Sequence, residues 1–315
     1  MAGHAGIATS RIAARATEAA VRRIVRTLIA LVVLGVAIGL FLTRPGNIPD
    51  GFTANTAANP EAGALIFAAA GCASCHTSPG SETDGLPVLA GGQVFASDFG
   101  TFYAPNISSD QTAGLGGWSL DEFARAVTVG VSPQGQHYYP AFPYSAYQHM
   151  TAADVANLFA YIQTLPGDAT PSRAHDVGFP FNIRRGLGLW KLAFVSDNYV
   201  MAADTETLAR GRYMVEALGH CTECHTPRNA VGGLDRSRWM AGAPNPSGKG
   251  TIPNITPAAL EWSEGDLVEY FTSGFTPDYD SAGGKMAEVV ENLSRLPETD
   301  RAAIAAYVKA LPAVP

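Results

Sequence analysis

The sequence predicts an all-α protein in which an N-terminal transmembrane helix precedes two tandem copies of one helical unit. Three observations carry that expectation. Residues 27–43 (TLIALVVLGVAIGLFLT) contain no charge. The frame Cys-x-x-Cys-His occurs twice, as CASCH at 72–76 and CTECH at 221–225. The motifs that follow recur in the same order: PNIS at 105–108 and PNIT at 253–256, WS at 118–119 and 262–263, GVSP at 130–133 and GFTP at 274–277. Their offsets are 148, 144 and 144 residues, against 149 for the cysteine frames. A chain of 315 residues that is 16% charged and 47% hydrophobic is a folding chain with room for about two domains.

Residues 1–26 form a basic leader. Up to position 44 the chain carries Arg11, Arg15, Arg22, Arg23, Arg26 and Arg44 against Glu18, a net of +5. The whole chain has a formal charge of −7, so the remainder carries −12. An acidic body excludes nucleic acid as the partner, because phosphate binding needs a basic face on the folded part. Residues 27–43, as a helix, span about 25 Å, a little under the ~30 Å hydrocarbon core. Arg26 and Arg44 flank the segment and can snorkel to close the difference. Five arginines ahead of it keep the N-terminus cytoplasmic by the positive-inside rule. A cleaved signal peptide is the rival, but no A-x-A site follows the apolar run. Either way the body is exported; the expectation is an uncleaved single-pass anchor in a bacterial inner membrane.

After a linker at 44–59, the first unit is expected at 60–166 and the second at 204–315. Helices are expected at about 60–71 and 205–218, each leading into a cysteine frame. In TAADVANLFAYIQTLP (151–166), Val155, Leu158, Phe159 and Ile162 fall on one helical face. PETDRAAIAAYVKALP (297–312) is its counterpart. Thr151 and Thr299 are the expected N-caps, and Pro166 and Pro312 the stops. Residues 167–203 belong to neither unit and form the connector. Its basic and aromatic run FNIRRGLGLWKLAF reads as a packed linker helix, ahead of a docking or membrane-surface element.

C-x-x-C-H is the attachment signal for c-type haem. Cys72 with Cys75, and Cys221 with Cys224, can each form two thioethers to one haem, while His76 and His225 supply the proximal imidazole. A four-cysteine zinc site would need both pairs to converge. A thioredoxin-like pair would want a βαβ context. Structural disulfides would not explain why His follows both pairs. Two haems are therefore expected, and the long Gly- and Pro-rich loops then wrap a cofactor that replaces much of the core. Trp118 and Trp262 recur as haem-propionate donors or as core packing. Asn106 and Asn254 recur as loop-stabilising bonds to backbone.

The stretches GCASCH, FYAPNISSD…GGWS, GVSPQGQHYYPAFPY, GHCTECHTPRN and VKALP make residues 60–315 resemble the membrane-anchored cytochrome c subunits of bacterial periplasmic dehydrogenases for alcohol, aldehyde, gluconate and related substrates. Better-known members carry three haem motifs; with two, this chain resembles a diheme branch. The resemblance implies two tandem class I-like cytochrome c domains. It also implies an electron-relay subunit that serves a dehydrogenase catalytic subunit and passes electrons to quinone, another cytochrome or a terminal oxidase.

In small cytochromes c the sixth ligand is a Met in the loop before the C-terminal helix, and Met286 stands there in the second unit, beside Gly283 and Gly284. Met214 and Met240 read as core packing. Subtracting the 144-residue offset from Met286 gives Phe142, which cannot bind iron. Met150 corresponds by helix alignment to Leu296, a core position. Related subunits carry a Met at both places, which favours Met150 as the sixth ligand; a five-coordinate or water-bound iron, His149 and His137 stay open. The rival functions are a diheme peroxidase-like or thiosulfate-oxidising enzyme that uses the first haem, and an oxidase-associated cytochrome subunit.

Overall fold

The protein was analysed as a computed structural model that describes residues 5–78, 86–246 and 250–315, with side chains from residue 17 onward in the first helix. The chain divides into two units, Met1–Arg44 and Pro45–Pro315.

The first unit is one helix, α1 (Ala5–Leu42), in which Thr17–Leu42 is long and apolar enough to cross a membrane. It starts well before the expected segment at 27–43. Between Ile7 and Leu34 there is no Gly or Pro, and Ala, Arg and Leu propagate a helix through the basic leader. Arg22 pairs with Glu18 one turn back at 2.6 Å. Thr43 closes the end by donating its hydroxyl to the Gly39 carbonyl at 2.7 Å. Of the basic leader at 1–26, residues 1–4 and the side chains of 5–16 lie outside the described residues.

The second unit begins with α2 (Pro60–Ala69), capped by the Asn59 side chain with Pro at the first helical position. It runs into α3 (Cys72–His76). A hairpin of β1 (Val94–Ser97) and β2 (Gly100–Tyr103) follows. Next come α4 (Leu120–Ala124), which continues as a π-turn over Arg125–Val129, then α5 (Tyr144–Tyr147) and α6 (Ala152–Thr164). The connector holds β3 (Asp176–Val177) and α7 (Leu187–Phe194). The second half repeats the order: α8 (Glu206–Arg212) with a π-turn over Tyr213–Leu218, then α9 (Thr222–His225). β4 (Ala243–Pro244) pairs with β5 (Thr251–Ile252), followed by α10 (Glu264–Ser273), α11 (Lys285–Ser294) and α12 (Glu298–Ala310).

In the second unit expectation and structure differ in four places. The body is helix-rich but not all-α. β1, β2 and β3 form an antiparallel sheet with Val94 opposite Tyr103 and Thr101 opposite Asp176, and β4 pairs with β5. Val94, Phe95, Thr101, Phe102 and Tyr103 are β-branched or aromatic, and the hairpin turns where the Ser97 hydroxyl donates to the Gly100 carbonyl at 2.8 Å. The helix expected at 205–218 loosens into a π-turn for its last six residues. Thr151 caps α6 as expected by accepting from Asp154 N, but Thr299 does not cap α12. That helix starts two residues earlier, at Glu298, with Pro297 at the cap, whose φ of −54° is already helical. Lastly, α7 forms in the connector but packs by one face only, leaving Leu189 and Leu192 exposed.

In each half the helix before the cysteine frame crosses the C-terminal helix, α2 on α6 and α8 on α12. The crossings are close: a Cβ on Gly63 would lie 2.0 Å from the Asn157 carbonyl oxygen, and one on Gly211 would lie 2.1 Å from that of Ala303. One buried core draws Ile66, Phe67, Val155 and Ile162 from the first half and Val215, Leu218, Ile304 and Tyr307 from the second.

Candidate metal centres

In α3 and α9 the two cysteines of each frame sit three residues apart, which places them on one face of a helical turn. All four thiols are free. Burial pushes the Cys72 and Cys221 thiols up to about 12, and Cys75 and Cys224 are raised as well. Burial of this kind disfavours a bare thiolate. A thioether has no proton to lose, so the same burial does not oppose it. Among the described residues no group of three or more His, Cys, Asp or Glu side chains could hold a metal ion. The zinc reading therefore finds no support, and the donor set suits an iron whose other ligands come from a porphyrin.

The two histidines are held in matching ways. His76 Nδ1 lies 2.8 Å from the Pro105 carbonyl oxygen, and His225 Nδ1 lies 2.9 Å from that of Pro253. A carbonyl only accepts, so Nδ1 carries the proton and donates it, which leaves the Nε2 lone pair for a metal. Burial lowers the pKa of both rings and favours the neutral form that such ligation requires. The backbone is fixed from the other side: Gly91 N donates to the His76 carbonyl and Gly242 N to the His225 carbonyl, both at 2.7 Å. These glycines have φ of +75° and +81°, and a Cβ on either would lie within 2.7 Å of a backbone oxygen, so no other residue fits.

The recurring asparagines belong to the same support. Asn106 donates to the Asp168 and Thr170 carbonyls at 2.7 and 2.8 Å and accepts from Ser108 N at 2.9 Å. Asn254 donates to the Val314 carbonyl at 2.7 Å and accepts from Thr256 N at 2.8 Å. Each ties the strand leaving a C-terminal helix to the loop whose preceding proline holds the histidine. The Pro105 and Pro253 carbonyls were missed by sequence reasoning, although the repeated Pro-Asn pair was the signal for them. Trp118 and Trp262 pack half-buried against the core, each beside a serine that caps the next helix.

On the opposite side of each loop the 144-residue register holds in atomic detail. Ser132 N donates to the Gln136 carbonyl as Thr276 N does to Asp280, and Tyr138 N to Gly130 as Ala282 N to Gly274, all at 2.8 Å. Phe142 N donates to the Tyr139 carbonyl at 3.0 Å and Met286 N to the Gly283 carbonyl at 3.2 Å. Phe142 therefore occupies the place of Met286. Its ring lies edge-on to Tyr138, Tyr144 and Tyr147. Met286, half-buried, opens α11. Met150 and Leu296 are equivalent too: each donates its N–H three residues back, precedes the C-terminal helix and is buried in the core. Met214 and Met240 are core residues, as expected. His149 stacks on Tyr199 at 4.2 Å, and His137 is buried in a backbone bridge to Val131.

The two attachment turns adjoin. Asn292 donates to the Ser74 hydroxyl at 2.8 Å, and the Ala70 carbonyl accepts from Tyr147 at 3.0 Å and faces His220 Nε2 at 3.3 Å. Ser145 donates to Glu223 between the cysteines of the second frame at 2.9 Å. The neighbouring Cys224 contributes to the raised pKa of Cys75.

The cytochrome c family profile matches residues 60–166. A diheme cytochrome c-type protein of Cereibacter sphaeroides is 51% identical over 294 residues, which is 93% of this chain and 99% of that one. The fructose dehydrogenase cytochrome subunit of Gluconobacter japonicus is 40% identical over 80% of this chain and 52% of its own length. The gluconate 2-dehydrogenase cytochrome c subunit of Pantoea cypripedii is 35% identical over 79% of this chain and 58% of its own. The chain spans little more than half of these two dehydrogenase subunits.

Proposed function

We propose that this chain, which belongs to the diheme c-type cytochromes and relays electrons with two covalently bound haems, takes those electrons from the catalytic subunit of a dehydrogenase. The naming of two of these relatives as dehydrogenase cytochrome subunits supports that donor. The acceptor is a quinone, another cytochrome or a terminal oxidase. The body lies in the periplasm, since five arginines precede the span, and it comprises two tandem class I-like cytochrome c domains at 60–166 and 204–315.

The residues divide the work as follows. Cys72 and Cys75 hold the first haem and Cys221 and Cys224 the second, each through thioethers. His76 and His225 supply the proximal nitrogen, fixed in one tautomer by Pro105 and Pro253. Met286 is the sixth ligand of the second haem. Met150 is that of the first, the sulfur nearest in sequence to the place where Phe142 stands. Bound in this way, each haem supplies a one-electron ferric/ferrous couple.

The observation that carries the relay reading is the contact between the two attachment turns through Asn292, Ser74, Ala70 and His220. Groups bonded to adjoining turns are neighbours, and a relay needs neighbouring couples. The test is to isolate the full chain from membranes under mild detergent. The denatured chain should keep two haems, Cys72→Ala or Cys224→Ala about half of the haem stain, and a dehydrogenase catalytic subunit should co-purify. Haem that washes out in acid acetone, or an oxidase as the only companion, overturns the proposal.

A further inference from the structure

The connector helix α7 is apolar on the face it packs and on the face it leaves exposed. Arg185, Leu189, Leu192 and Ala193 share one face and are exposed, Leu189 at 52% and Leu192 at 63%. The opposite face carries Leu187, Trp190 and Phe194, all half-buried, together with Lys191, which points inward. The Lys191 ammonium donates to the Val129 and Gly130 carbonyls at 2.6 and 2.8 Å and lies over the Tyr144 ring. A helix that turns its cation inward and two of its three leucines outward calls for an apolar medium on the outer face. The approach to α7 adds Phe179, Phe181 and Ile183, which are exposed at 81%, 47% and 53%.

The position of this patch says what covers it. The second unit begins at Pro45, one peptide bond after Arg44 at the end of the apolar span. The Gly46 carbonyl accepts from Arg125 Nε at 3.0 Å, and a Cβ on Gly46 would touch Val129 at 3.0 Å. Arg125 and Val129 bound the π-turn whose end is held by Lys191. The place where the chain leaves the membrane and the inward face of α7 are thus fastened to the same turn. Charge agrees with this placement: residues 178–194 contain Arg184, Arg185 and Lys191 and no acid, in a body that is otherwise acidic. A basic segment rich in Phe, Leu and Trp is the composition of an interfacial element on anionic lipid.

We infer that residues 178–194 lie on the surface of the bilayer that α1 crosses, with Leu189 and Leu192 at the headgroup–acyl boundary and Arg185 among anionic headgroups. This rests on α1 being the membrane span and is independent of which dehydrogenase is served. Together with the span, the contact restrains the body at two points and limits its rotation over the membrane.

The test uses the full haem-loaded chain in nanodiscs of mixed phosphatidylglycerol and phosphatidylcholine, with no other protein present. Nitroxide labels are placed at Leu189→Cys, Leu192→Cys and, as a water-facing reference, Tyr279→Cys, a residue of the second half that is 97% exposed. The native cysteines are committed to haem. The ratio of oxygen to nickel-chelate accessibility should be several-fold higher at 189 and 192 than at 279. The difference should shrink when phosphatidylglycerol is left out. Equal ratios at all three sites overturn the inference, as does protection that arises only when a dehydrogenase catalytic subunit is added, which would make the patch a protein-docking surface. Failure of the chain to enter nanodiscs overturns the premise that α1 spans, and the inference with it.

Discussion

Gly211→Ala tests the packing on which the second attachment turn depends. The added methyl would lie 2.1 Å from the Ala303 carbonyl oxygen and 2.8 Å from Tyr307 Cβ, where ordinary contact begins at 3.4 Å. To admit it, α8 must move off α12 by about 1.3 Å, the shortfall from 3.4 Å contact. Neither obstacle is a flexible tip: one is backbone, and Tyr307 is fully buried with its hydroxyl donated to Glu216 at 2.5 Å. Overpacking of this kind costs about 3 kcal/mol, the upper end of its usual range, and better helix propensity returns about 1 kcal/mol. The net loss of about 2 kcal/mol lowers the folded-to-unfolded ratio roughly 30-fold. Gly265→Ala is the control, an exposed helical glycine whose Cβ would meet only the Ser263 hydroxyl at 3.7 Å. It should be neutral or stabilising by about 0.5 kcal/mol. Denaturant titration followed by helical ellipticity reads both, with an unchanged slope as the condition for comparing midpoints. A Gly211→Ala midpoint at or above wild type would refute the close crossing. Gly63→Ala, with its Cβ 2.0 Å from the Asn157 oxygen, should behave as Gly211→Ala does.

Asn106→Ala removes two donated bonds and leaves the N–H of the fully buried Ser108 without its side-chain acceptor. It should lower stability by about 2–3 kcal/mol in the same titration while haem stain is retained; an unchanged midpoint would mean that the tie is not formed. Met286→Leu should convert the second haem alone to high spin or lower its potential, and Met150→Leu the first alone, read by visible spectra and redox titration. Unchanged spectra in Met150→Leu would leave that residue as core packing. Phe142→Met, a swap of similar volume, should alter the ligand-to-metal bands of the first haem, because the backbone at 142 already matches that at 286.

What the sequence disclosed was whatever leaves a mark in residue identity. The cysteine frames, the repeat, the Thr151 cap, the proline stops at 166 and 312 and the helix in the connector were all legible there. What escaped it depends on backbone groups or on tertiary closure. The Pro105 and Pro253 carbonyls that orient the histidines are backbone groups, marked in the sequence only by the repeated Pro-Asn pair. The strands at 94–97 and 100–103 are too short to show a period and are set by how the loop folds back onto Asp176. The cap at 297 went to Pro and not to Thr299, because proline's fixed φ starts a helix without a side-chain acceptor. The connector was expected to hold a packed linker helix, and α7 packs by one face. The inward direction of Lys191, which spacing alone does not give, goes with the exposure of Leu189 and Leu192.

The two halves differ unevenly, and the unevenness has a physical consequence. On the histidine side the Nδ1 bond, the glycine N–H to the histidine carbonyl and the asparagine tie are reproduced in both. On the opposite side the backbone bonds at 142 and 286 are kept while the residue changes from Phe to Met. Beyond that point the equivalent positions shift from an offset of 144 to one of 146, and the four-residue α5 stands where the second half has the ten-residue α11. If His76 and His225 are the proximal ligands, as proposed, their matching supports would give both irons the same push. A difference in potential between the two couples must then arise from the distal residues and from how water and charge reach them. On the proposed ligation, the Phe142 loop with its cluster of tyrosines and the start of α11, where Met286 lies beside Lys285 and Glu288 at the surface, are where a difference in potential between the two couples is expected to arise.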